Sequence, residues 1–177
     1  MPILNKKKIL VLGLEKSGKT SIVLNFIGKF NLSDYDSYSN TKSPNIVKIE
    51  SGNTEFDIWD FKGEEVYRNE FLNNFGNYIN ETGEIFFVID IQDLNGYDLV
   101  IKYLREIINK LKILSIRVDF TFFLHKNDHD LLKRFPNINN EMIENLITKI
   151  KQIVPKEDFH EIYKTTIYTI LDRIHVY

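Results

Sequence analysis

Gly13, Gly18, Lys19 and Thr20 stand in the spacing G-x-x-x-x-G-K-T, which suits them to hold a chain of phosphates. Glycines let the backbone curl so that successive N–H groups face one anion, and a helix starting there adds the positive end of its dipole. Lys19 has the reach for the outer phosphates, and the Thr20 hydroxyl is the type of oxygen that ligates Mg²⁺. The pattern needs a strand before it and a helix after it. Residues 8–12 form a short apolar run and 21–27 carry apolar residues at helical spacing, so that context is present. The bland alternative is a glycine-containing strand–helix turn with a chance lysine.

A phosphate loop alone does not separate kinases, ATPases and GTPases, so later residues must. Asp60 ends a stretch of alternating character, Thr54–Asp60, and is followed by Phe61, Lys62 and Gly63, giving D-x-x-G. A carboxylate at a strand's C-terminal end can hold Mg²⁺ through water, and the Gly63 N–H can approach a γ-phosphate. His125, Lys126, Asn127 and Asp128 follow a second apolar run at 118–124. An aspartate there can accept from guanine N1–H and from its 2-amino group. Adenine lacks both donors and would leave a desolvated carboxylate unpaired, at roughly 1–3 kcal/mol or more. Two other readings of this stretch stand beside it: a polar loop without a ligand, and a metal site built on His125 and His129 with Asp128 and Asp130 between them.

The order of these motifs resembles the Ras-like small GTPases, and the resemblance runs along essentially the whole chain. Within that superfamily the chain is most similar to the Rag (Gtr-type) GTPases. His125 opens an H-K-x-D motif where most relatives have asparagine. Residues 13–22 and 56–63 look like Rag motifs, the second like the C/D branch, and Thr165, Thr166, Ile167 and Tyr168 resemble that branch's T-S-I-Y. Arf-like proteins share the Trp59-Asp60 pair and are the next nearest. The implied fold is an α/β P-loop NTPase G domain with a mostly parallel six-stranded sheet, one antiparallel strand and helices on both faces. Residues 1–177 would form one such domain, without the roadblock-type C-terminal domain that Rag proteins carry.

The resemblance also implies a mechanism. GTP or GDP with Mg²⁺ would lie at the C-terminal edge of the sheet. Glu15, Lys16, Ser17, Gly18, Lys19, Thr20 and Ser21 would cradle the phosphates. Thr20 would ligate the metal directly and Asp60 through water. Thr41 is the choice for a switch I threonine that joins Mg²⁺ in the GTP state, with Ser43 as its competitor. His125, Lys126 and Asp128, with Thr166 and Ile167, would hold guanine. Gly63, Lys19 and Glu64 are the candidate hydrolytic residues. Loss of the γ-phosphate would release the switch contacts, as in other two-state signalling switches.

Two departures point to slow hydrolysis. Glu64 occupies the position of the water-orienting glutamine; it cannot donate to the transferring phosphoryl group and repels its charge. Glu15 adds a second negative charge near the γ-phosphate. A nucleotide-bound scaffold or heterodimer subunit with little hydrolysis is therefore the alternative, and a P-loop kinase a distant third.

Composition narrows the surroundings. The chain of 177 residues is long enough for a normal core, and its net charge of −2 gives no electrostatic case for nucleic acid. It has no cysteine, so neither a disulfide nor a prenylated end is expected, and without a second-position glycine no myristoylation is expected. Lys6, Lys7 and Lys8 allow at most a peripheral membrane contact. A cytoplasmic protein is expected, paired with a second Rag-like GTPase or with itself, its effectors and regulators unspecified. The remaining strands are expected at 45–50, 84–90 and 158–165, long helices at 98–113 and 139–154, a polar mobile loop at 31–44, and a short final helix at 168–176.

Overall fold

The computed structural model describes residues 5–28, 43–166 and 170–174, the last of these as backbone. One sheet organises them. Strand β1 (Asn5–Gly13) lies at its centre, flanked in parallel by β3 (Thr54–Asp60) and β4 (Thr82–Asp90). Beyond β4 follow β5 (Asp119–His125) and β6 (Phe159–Thr165), also parallel. β2 (Asn45–Ser51) closes one edge as the antiparallel half of a hairpin with β3. These are the six strands that the sequence pattern anticipates. A seventh, β7 (Ile170–Ile174), pairs antiparallel with β6 at the other edge, giving the order β2-β3-β1-β4-β5-β6-β7. The short final helix expected at 168–176 is thus replaced by a strand where the backbone is described.

Parallel strands buried on both faces need apolar side chains in both directions, which explains the continuous hydrophobic runs. In β1, Leu10 and Leu12 join one core cluster, while Ile9 and Val11 join another; in β4, Ile85, Phe87 and Ile89 divide from Phe86 and Val88 in the same way. The first face is covered by α4 (Tyr97–Leu114) through Leu104, Ile107 and Ile108, and by α6 (Asn140–Ile153) through Leu146, Ile147 and Ile150. α2 (Glu65–Asn73) and α3 (Phe75–Ile79) add Phe71, Phe75 and Ile79 to that cluster. On the opposite face, α1 (Lys19–Phe26) packs Ile22 and Val23 into the second cluster. Asn139 caps α6 by accepting from the Met142 N–H at 2.9 Å, as its side chain suits it to do. A further short helix, α5 (Leu131–Arg134), follows the loop after β5. This layering brings the C-terminal ends of β1, β3, β4 and β5 to one edge.

Candidate functional site

At that edge, residues 13–18 loop from β1 into α1. Lys16 adopts a left-handed φ of 61°, and Gly18 one of 96°. Gly18 has no alternative, because a Cβ there would lie 2.2 Å from His125 Cδ2. Lys19, 6 % exposed, donates from Nζ to the Leu14 carbonyl at 2.6 Å. That bond folds its stem back along the loop. Burial pulls Lys19 from its ordinary 10.5 down to about 8, against the opposing pull of Asp60, Glu64 and Glu15. A buried cation of this kind has few partners better than a phosphate. Glu15 is exposed and pairs with Lys16 at 3.5 Å, and the buried Ser17 hydroxyl has no hydrogen-bond partner.

Thr20, in the first turn of α1, donates from Oγ1 to Asp60 Oδ2 at 2.7 Å. Asp60 is 6 % exposed, and its other oxygen, Oδ1, has no partner. Burial raises this carboxyl to about 6, with the Thr20 bond and Lys19 pulling the other way. An orphaned carboxylate oxygen beside a hydroxyl is a hard-oxygen donor set that fits Mg²⁺.

The energetics give a testable consequence. A folded-state pKa raised above the unfolded one contributes stability below the unfolded value and loses it as pH rises through the folded value. Ionised Asp60 therefore weakens the ligand-free fold at neutral pH. Asp60→Asn should raise stability in EDTA at pH 7.5 by about 1–3 kcal/mol, as read by urea denaturation. The gain should shrink as pH falls from about 6 towards 3.8, the range between the two carboxyl values. The same variant should lose Mg²⁺-dependent nucleotide retention. A variant less stable than the wild type would show instead that the carboxylate is well paired within the fold.

Gly63 packs directly on the phosphate loop: a Cβ there would lie 2.2 Å from the Leu14 carbonyl carbon and 2.3 Å from the Glu15 nitrogen. Glu64, half-buried, is the N-cap residue of α2 without a side-chain capping bond. Arg68, one turn along, returns its guanidinium to the Gly63 carbonyl and stands over the Tyr103 ring. Its charge also acts on Lys19, in the direction opposite to Glu64. Sequence reading passed over Arg68, because nothing local marks a helix-surface arginine as turned towards a loop.

The third group surrounds a cavity of about 310 Å³ lined by Lys16, Gly18, Ser21, Gln92, His125, Lys126 and Asp128. His125 is 2 % exposed, with Nδ1 3.0 Å from Thr165 Oγ1. Burial lowers it to about 4, helped by Lys126, so the ring is neutral at physiological pH. It braces the Gly18 turn against the end of β6. The Asn127 N–H reaches the Thr165 carbonyl at 2.9 Å, tying the same loop to β6. Lys126 pairs with Asp90, a residue at the end of β4 that its position alone could have flagged. Asp128 accepts from Gln92 and lies 3.5 Å from Arg134. The alternative metal reading fails here: His125 is buried while His129 is exposed. No group of three His, Cys, Asp or Glu residues gathers to hold a metal among the described residues.

Of the remaining candidates, Thr166 is described and half-buried. Thr41 and Ile167 lie outside the described residues, as does most of the 31–44 loop. Ser43, the competitor of Thr41, accepts the Lys62 N–H at 3.2 Å. No helix among the described residues is long and apolar enough to cross a membrane.

A family model described as the Gtr1/RagA G protein conserved region matches residues 8–171. The chain is 30 % identical over 123 residues to ADP-ribosylation factor-like protein 2 of Dictyostelium discoideum, covering 70 % of this chain and 61 % of that protein. It is 33 % identical over 88 residues to ADP-ribosylation factor-like protein 5 of Caenorhabditis elegans, covering 50 % of this chain and 45 % of that one. The chain thus spans about half to three-fifths of the length of these relatives. Among solved structures, the fold is similar to the Arl6/BBS3 small GTPase of Trypanosoma brucei with bound GppNp, at TM-score 0.63 and 21 % identity, covering 92 % of this chain and 88 % of that one. It is also similar to bacterial selenocysteine-specific elongation factor EF-Sec, at TM-score 0.60 and 18 % identity, over 93 % of this chain and 26 % of that one.

Proposed function

The chain belongs to the Gtr1/RagA G-protein family of Ras-superfamily small GTPases, and from that premise we propose that it is a guanine-nucleotide switch that binds GTP and GDP with Mg²⁺ and hydrolyses GTP slowly. One observation carries the reading. Three strand ends, those of β1, β3 and β5, bring a buried ammonium (Lys19), a hydroxyl–carboxylate pair with an open oxygen (Thr20 and Asp60) and a tethered carboxylate (Asp128) to one edge. Those three groups answer the phosphates, the metal and the guanine edge of one ligand.

In this proposal Lys19 and the amides of residues 16–21 take the β- and γ-phosphates. Thr20 would hold Mg²⁺ directly and Asp60 through water, and the metal would supply positive charge against the transferring phosphoryl group. Asp128 takes the base edge and the Lys126 stem covers its face, and Thr166 and Ile167 belong to the same proposal as guanine contacts. Thr41 belongs to the same proposal as the switch I ligand. By family, pairing with a second Rag-like GTPase and a cytoplasmic location complete it. Extracting the nucleotide that co-purifies, in Mg²⁺ and after EDTA, tests the reading: GDP or GTP retained only with the metal supports it, and ATP or ADP would sink it.

Slow hydrolysis rests on Glu64. Its carboxylate can accept from the attacking water but offers no donor to the γ-phosphate. Glu64→Gln should speed single-turnover phosphate release from preloaded GTP about tenfold, equal to about 1.4 kcal/mol. Glu15 still opposes the reaction, which limits the gain. A slower variant would mean that Glu64 itself positions the water. No turnover in either protein would favour the second reading, a nucleotide-bound scaffold, which the two acidic residues also suit.

A further inference from the structure

Asp128 is held by a residue that no motif includes. Gln92, just past the end of β4, donates from Nε2 to Asp128 Oδ2 at 3.2 Å and to the Lys126 carbonyl at 2.8 Å. The two bonds use both amide protons. Its own N–H is fixed to Asp90 Oδ1 at 2.9 Å, and Asp90 Oδ2 takes the Lys126 ammonium. Gln92 also lines the same cavity as Asp128.

We propose that Gln92 is a positioning residue that sets selectivity for the guanine 2-amino group; the proposal rests on the reading of Asp128 as the base acceptor. Guanine presents N1–H and the 2-amino group side by side, so both carboxylate oxygens must lie in the plane of the base. A free aspartate turns about its side-chain bonds and satisfies one donor at a time. Gln92 pins Oδ2 from the inside of the site, while Arg134, largely exposed, approaches the same oxygen from solvent. Arg134, at 3.5 Å, makes an ion pair and no hydrogen bond, so Oδ1 and the second lone pair of Oδ2 are left for the base. The second Gln92 bond caps the carbonyl of Lys126, whose φ of 63° is left-handed, and so fixes the backbone from which Asp128 projects. Gln92 is neutral, so it orients the carboxylate without cancelling its charge.

The test is the affinity ratio of GDP to IDP, whose base keeps N1–H and lacks the 2-amino group. Gln92→Met keeps the length of the side chain and removes the donors. It should weaken GDP about 10- to 30-fold and IDP about 2- to 3-fold, so that the ratio collapses towards one. A purely structural part for Gln92 would weaken both alike. Gln92→Glu keeps the shape, sets a carboxylate against Asp128 and should collapse the ratio further; it serves if the methionine variant does not fold. A wild-type GDP-to-IDP ratio in folded variants overturns the proposal alone. A wild-type protein that prefers ADP to GDP overturns the guanine reading and this proposal with it.

Discussion

Asp128→Asn should lower GDP affinity about 100-fold and raise affinity for xanthosine diphosphate by a similar factor. Two hydrogen bonds from the base end on this one carboxylate in the proposed complex, and loss of a charged acceptor in a desolvated site is worth roughly 1.5–3 kcal/mol. Asparagine turns one acceptor into a donor. Guanine then meets a donor facing its 2-amino group, whereas the 2-oxo group of xanthine meets the partner it lacks in the wild type. Gln92 and Arg134 would still hold the remaining acceptor, so the swap should change preference rather than collapse the loop. Competition binding with the two diphosphates measures both directions at once, and an unchanged preference would remove Asp128 from the base site.

Gly18→Ala should have an even broader effect. Its φ of 96° is strained for any L side chain, and the added carbon would sit 2.2 Å from His125 Cδ2 and 2.7 Å from Nε2. Strain and overpacking of this kind each cost about 1–3 kcal/mol. A combined loss of about 3 kcal/mol corresponds to roughly 10 °C in Tm for a chain of this size. The His125 ring is anchored at Thr165 and cannot move without breaking that bond. Retention of the proposed nucleotide should fall below detection, since the left-handed turn at Gly18 would be displaced. Adding His125→Ala should recover the steric part and leave the backbone part, giving a measurable coupling between the two sites. Wild-type stability in the single variant would show that the turn lies elsewhere.

Legibility in the sequence followed the range over which each signal acts. The G-x-x-x-x-G-K-T turn, the strand ending in Asp60 and the run before His125 are local patterns, and each became the element expected. The helices at Tyr97–Leu114 and Asn140–Ile153 differ from their expected spans by one residue at each end. Their strongly periodic apolar faces explain this. The short helices α2, α3 and α5 went unread because segments of this length and polarity carry little periodicity. β7 was misread for a related reason: Ile170 and Ile174 fit one face of a helix as well as a strand, and pairing with β6 decided the matter. Gln92 and Arg68 have no local signature at all. Gln92 acts on residues far along the chain, and that proximity exists only after β4 and β5 pair in register.

The deep burial of Lys19 and Asp60 has a consequence in time as well as in affinity. In the proposed switch, departure of the nucleotide and its metal would leave an ammonium and a carboxylate, each disfavoured in its charged form by burial, away from solvent. Release would then pass through a species in which only the Leu14 carbonyl and the Thr20 hydroxyl answer these charges, which would slow it. A catalyst of exchange cannot succeed merely by prying the loops apart. In that reading it would bring substitutes: an acidic side chain towards Lys19 as the phosphate withdraws, or a donor towards Asp60 as the metal departs. The chemistry of such an exchange partner would then be the complement of these two buried groups, Lys19 and Asp60.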